Sequence, residues 1–125
     1  MREILFRGKR TDNGEWVYGN LSQHKTGKKF IKCGNAIHSY EVIPETVGQF
    51  TGEYSANTNK IFSKIFEHDI VIKVVDDKEL IGVVEYLDGA FGVRFADGSG
   101  QLLCFFEGCC KIIGNVHDNP ELIEE

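Results

Sequence analysis

The chain has 125 residues, 42% of them hydrophobic and 26% charged, the length and balance of one globular domain or of two small ones sharing a core, which argues against a disordered chain. A formal net charge of −5 excludes nucleic-acid binding driven by overall charge, because the molecule as a whole repels phosphate. No apolar run approaches the roughly 18 residues of a membrane-spanning helix, and the start, Met1 to Arg7, lacks the apolar core of a signal peptide, so a cytoplasmic protein is expected.

Short runs of Val, Ile, Phe and Tyr alternate with turn residues, and the chain has 14 glycines but only 2 prolines. That pattern predicts strands joined by tight turns. Ile4-Leu5-Phe6 is the first expected strand. Asn13-Gly14 suits a hairpin turn, because both residue types tolerate positive φ. Trp16–Leu21 is the expected partner strand, and Lys25–Lys28 turns into a further strand, Phe30–Cys33. Pro44 cannot donate a ladder hydrogen bond, so the stretch Glu41–Gly52 must cross an edge or leave a sheet there. Residues 53–59 are polar and predict a loop. Ile61-Phe62 and Ile65-Phe66 recur at a spacing of four, which suits a short helix over 60–66 or a bulged edge strand. From Asp69 onward, Ile70–Val75, Leu80–Tyr86, Phe91–Phe95, Gln101–Phe106 and Lys111–Val116 form five strand-like runs separated by Asp- and Gly-rich turns. So many short strands in so little chain would leave exposed edges, and closure into a small barrel relieves them. The expected fold is therefore all-β and mainly antiparallel. It has a β-rich N-terminal region at 1–59, an SH3-like five-stranded barrel at 60–118 and a C-terminal tail at 119–125.

Charge is segregated. Residues 1–40 carry eight Lys/Arg against three acids, a balance of +5, and residues 41–125 carry six against sixteen, a balance of −10. Opposite charges on one molecule predict attraction within the chain or between copies, and the basic part could instead meet an anionic partner. Lys25, Lys28, Lys29 and Lys32 form the dense basic segment. With Trp16 they are the candidate binding residues, lysines meeting phosphate and Trp16 or Phe30 stacking on bases. The competing reading is a solvated, lysine-rich sheet edge that deters aggregation. The segment lacks the spacing of a phosphate-binding Gly-x4-Gly-Lys-Ser/Thr loop.

No catalytic or metal constellation stands out. Glu67-His68-Asp69 would need a third group to orient an acid–base pair, and adjacent side chains rarely converge. Asp76, Asp77, Asp88 and Asp97 could gather a cation, but Asp before Gly is ordinary turn chemistry. Cys33, Cys104, Cys109 and Cys110 contain no Cys-x-x-Cys pair. A zinc site from Cys104, Cys109 and His117 ranks below a role as small, reduced, buried hydrophobes. No catalytic residue, metal or cofactor is assigned.

Four ordered motifs carry a resemblance: Val42–Gly52, Ile65–Val71, Gly82–Tyr86 and Ile113–Leu122. Together with the N-terminal stretch from Met1–Ile4 to Tyr18-Gly19 they resemble the YopX-type proteins of bacteriophages and prophages of Gram-positive bacteria. The resemblance covers nearly the whole chain. It implies a phage origin and an SH3-like C-terminal barrel, and it carries no activity. This chain has Glu67-His68-Asp69 where the family usually has Glu-Gly-Asp, so His68 is strained if that glycine takes positive φ. The loop after Gly52 is also longer than the family pattern. The reading that follows is a non-enzymatic binding or assembly module in the cytoplasm of a bacterial host. Its expected partners are copies of itself and a phage or host protein, with no membrane. Weak nucleic-acid binding through Lys25–Lys32 is the alternative.

Overall fold

The structure is a computed structural model that describes residues 4–34, 38–54, 64–87, 89–95, 100–102 and 110–123. All of its sheets are antiparallel, and its helical content among these residues is two short 3-10 turns, Pro44–Thr46 and Pro120–Ile123. Among the described residues no helix is long and apolar enough to cross a membrane. The chain divides into two compact units, Met1–Phe50 and Thr51–Glu125.

In the first unit, β1 (Phe6–Lys9), β2 (Trp16–Gln23), β3 (Lys29–Lys32), β4 (Ser39–Val42) and the start of β5 (Gly48–Tyr54) lie in the order β4-β3-β2-β1-β5. The first strand is shifted from the apolar run Ile4–Phe6, because it must pair in register with β2: Phe6 with Gly19, Arg7 with Tyr18, Gly8 with Val17 and Lys9 with Trp16. Cross-strand pairing outweighs local hydrophobicity here. The end of β4 returns to the end of β1 through an Arg10–Val42 bridge, with Ile43 N–H donating to Lys9 O at 2.8 Å and Thr11 N–H to Glu41 O at 3.0 Å. Ile31, Val42 and Phe50 are the buried apolar residues of this unit. Pro44 does end the pairing, opening a 3-10 turn. Thr46 fastens that turn: its hydroxyl donates to Ile43 O at 2.6 Å and accepts Lys9 N–H at 2.9 Å.

In the second unit, β6 is Lys64–Phe66, β7 Asp69–Val75, β8 Lys78–Leu87, β9 Ala90–Phe95, β10 Gly100–Leu102 and β11 Cys110–Asn115. Residues 64–66 of the ambiguous 60–66 stretch are thus strand, and 60–63 lie outside the described residues. The larger sheet runs β10-β9-β8-β7-β11. β7 and β8 are joined by Asp76-Asp77 alone, both at positive φ (52° and 65°), the backbone of a two-residue hairpin. Strand alternation turns Val71, Val84, Phe91 and Val93 to one face, where they pack with Ile65 as the core, and Phe95 and Ile112 close over them. The expected closed barrel over 60–118 is not found: among the described residues the sheet is open between β10 and β11. A three-residue edge strand such as β10 already blunts an edge, so closure is not required. Phe105 and Phe106, expected on opposite faces, lie outside the described residues.

Candidate functional site

The candidate residues of the first unit are sorted by the β2–β3 hairpin. Lys25 and Lys28 are exposed in its turn, which is closed by His24 N–H to Lys28 O and Gly27 N–H to His24 O, both 2.9 Å. Lys29 and Lys32 sit on β3 three residues apart, so they point to opposite faces. Lys32 is exposed and stands opposite Asn20, on the face of Trp16 and Tyr18. Lys29 is half-buried on the other face, opposite Gln23. The five predicted residues are therefore not one patch.

β3 is also not an edge. Its residues pair with β2 on one side and with β4 on the other. Its lysines consequently do not serve as edge guards, which corrects the aggregation-deterrent reading of Lys29 and Lys32.

The same register brings in basic residues that the sequence reading passed over. Arg7 and Lys9 are two apart on β1 and face Tyr18 and Trp16 on β2. The Arg7 guanidinium lies over the Trp16 ring with Cζ 4.6 Å from its centroid, and Lys9 Nζ is 5.7 Å from it. A cation over an aromatic face is attracted by the ring's electron-rich surface. Nearby, Arg10 lies over Tyr40 at 4.2 Å and pairs through Nε and Nη2 with Asp12 at 2.9 and 2.6 Å. That pairing holds the Asp12 carboxyl below its ordinary range. The available signal was alternation: Arg-x-Lys and Trp-x-Tyr on the two arms of an Asn-Gly hairpin.

In the second unit the motif residues gather at one turn. His68 is at φ +74°, the strained conformation that a family glycine would relieve. Its backbone is fastened on both sides, N–H to Val84 O at 2.8 Å and O from Val116 N–H at 3.0 Å. Its ring Nδ1 is 3.4 Å from His117 Nε2, with the rings edge to face. Asp69 is buried and its Oδ2 accepts Phe66 N–H at 2.8 Å, so Asp69 closes the turn while the His68 ring meets His117. Asn115 shapes the second half of the cluster. Its Oδ1 accepts the N–H of His117 and of Asp118 at 3.0 and 2.9 Å. Asn119 Oδ1 accepts Asn115 N–H at 3.2 Å. A side chain at Gly114 would press on Asn119, its Cβ 2.8 Å from Asn119 Cγ. These motif residues hold backbone in place; the geometry is that of a double turn.

Among the described residues no group of three or more His, Cys, Asp or Glu side chains is placed to hold a metal ion. Asp88, Asp97, Cys104 and Cys109 lie outside the described residues. Cys33 is a half-buried free thiol.

The strain at His68 gives a direct test. His68→Val is expected to be less stable than His68→Gly by about 2 kcal/mol, since both lose the His117 bond and only the β-branched residue resists positive φ. Equal denaturation midpoints for the two variants would show that the turn relaxes instead.

No curated protein matches this chain. A solved structure, the crystal structure of protein EF1440 from Enterococcus faecalis, is similar with a TM-score of 0.59 and 23% sequence identity, covering 99% of this chain and 100% of that one. At that identity the likeness shows a shared fold. The family model described as YopX protein matches residues 5–124, and the ordered motifs at Thr46, Glu67–Asp69 and Gly114–Asn119 are the turns that build both units: the chain belongs to the YopX family.

Proposed function

We propose that this YopX-family protein is a non-enzymatic assembly module, a phage- or prophage-encoded accessory protein of the host cytoplasm that associates with copies of itself. The observation that carries this reading is the second face of the β7–β8 hairpin. Ile72 stands directly opposite Ile81, with Val74 and Val83 on the same face. Val74 is 61% exposed and Ile81 37%. β-Branched residues at these positions are costly in water unless something covers them.

The occupant proposed is a second copy, on charge grounds. Acidic Asp76, Asp77 and Glu79 stand exposed at the end of this hairpin. Residues 51–125 carry fourteen acids against six bases, while residues 1–40 are net basic. Each copy therefore supplies the counter-charge the other needs. The strand order β11-β7-β8-β9-β10, a meander whose fifth strand returns to the first, supports an SH3-like description of this unit.

Sedimentation velocity on the full chain tests the reading. The wild type is expected to form dimers or larger species that weaken as salt rises, and Val74→Gln with Ile81→Gln is expected to sediment as a monomer of unchanged fold. A wild type that stays monomeric at high concentration and low salt would refute it.

A further inference from the structure

We infer that the outer face of the β1–β2–β3 sheet is a platform for single-stranded nucleic acid. The inference goes beyond self-association and adds the aromatic rings of the first unit to its lysines. Register and alternation place Lys9, Trp16, Tyr18, Asn20, Ser22 and Lys32 on one face, with Phe30 opposite Ser22. Tyr18 is 47% exposed, and Asn20, Ser22 and Lys32 are exposed as well. At one end Arg7 and Lys9 sit over the Trp16 ring. At the other, Phe30 and His24 stack with centroids 4.5 Å apart, next to the turn that carries Lys25 and Lys28.

Three features favour this ligand. First, Lys32, the β3 lysine on this face, has no edge to protect, because β3 is paired on both sides. Second, the exposed Tyr18 ring stands between Lys9 on one side and Lys32 on the other along the same face, which matches a polymer that carries both charges and flat bases. Third, the exposed amide of Asn20 and hydroxyl of Ser22 lie between the rings, where base edges would pass. Among the described residues of β1 to β4, the acid on this face is Glu41 of β4, half-buried and opposite Phe30. Duplex DNA would engage the same lysines through phosphate but could not offer unstacked bases to Tyr18, so a single strand is the better fit.

The test is fluorescence anisotropy with the full chain at low salt, using labelled oligo-dT and oligo-U, a duplex of the same length, and a polyglutamate peptide. The single strands are expected to bind more tightly than the duplex or polyglutamate, and to weaken as salt rises. Lys32→Glu should weaken binding about tenfold and flatten the salt dependence. Tyr18→Ala should weaken it by about tenfold with the salt dependence unchanged, and Tyr18→Phe should restore it. Circular dichroism identical to wild type makes these losses interpretable, since both positions are exposed. Absence of single-strand binding, equal binding of duplex or polyglutamate, or wild-type affinity in both Lys32→Glu and Tyr18→Ala would each overturn the inference.

Discussion

Gly19→Ala is expected to be the most damaging single substitution in the first unit, costing about 3 kcal/mol. An alanine Cβ at this position would overlap the carbonyl oxygen of Lys32 and lie 2.8 Å from its carbon and 3.1 Å from Cys33 Cα. These are backbone atoms, so no rotamer change removes the clash. β2 cannot back away either, because Gly19 is paired with Phe6 of β1 and the next residue, Asn20, is paired with Lys32 of β3. Relief therefore requires breaking one of the two ladders that define the sheet. The chain has one tryptophan, Trp16, on the same strand. Its fluorescence during urea unfolding reports the unit directly. A variant whose midpoint corresponds to a loss under about 0.5 kcal/mol would mean that the sheet opens at Gly19 without cost.

In the second unit the largest effect is expected at Asp69. Asp69→Ala should cost about 3 kcal/mol and Asp69→Asn about 1 kcal/mol. The carboxylate is only 2% exposed, and it accepts the Phe66 N–H across the Glu67-His68 turn. Alanine removes the acceptor and leaves a donor unsatisfied beside Phe66, itself buried. Asparagine keeps an oxygen in the same place, so it loses only the strength that the charge adds. Thermal unfolding ranks the three proteins, and hydrogen exchange at the Phe66 amide localises the effect. If alanine and asparagine were equally destabilising, the Phe66 bond would not be what makes Asp69 matter.

The two sites differ in how they could be seen in the chain itself. The Glu67-His68-Asp69 turn was visible as a motif through the resemblance, which has glycine where this chain has His68; that the histidine takes positive φ, against its own steric preference, is what the structure adds. The role of Asp69 depends on a neighbour three residues away, a local relation within reach of turn chemistry. The His68–His117 contact spans 49 positions and has no local signature. Gly19 is similar: one more glycine in a glycine-rich sequence, until β3 is laid beside it.

The lysines illustrate the same limit. Read along the chain, Lys25–Lys32 is one basic cluster. On β3 the period of two divides it, and pairing with β4 removes its edge. Arg7 and Lys9 join Trp16 only because the Asn-Gly hairpin is in that register.

The amino-acid sequence alone was enough to determine an all-β, antiparallel protein, the break at Pro44 and, among the described residues, the turns at Asn13-Gly14, Lys25–Lys28 and Asp76-Asp77, because hydrophobic alternation and turn preferences act over a few residues, and its ordered motifs carried the family. Which strands are interior, which side chains share a face, and whether the second sheet closes were decided only by the tertiary structure, because register and strand order arise from pairing between segments far apart in the chain.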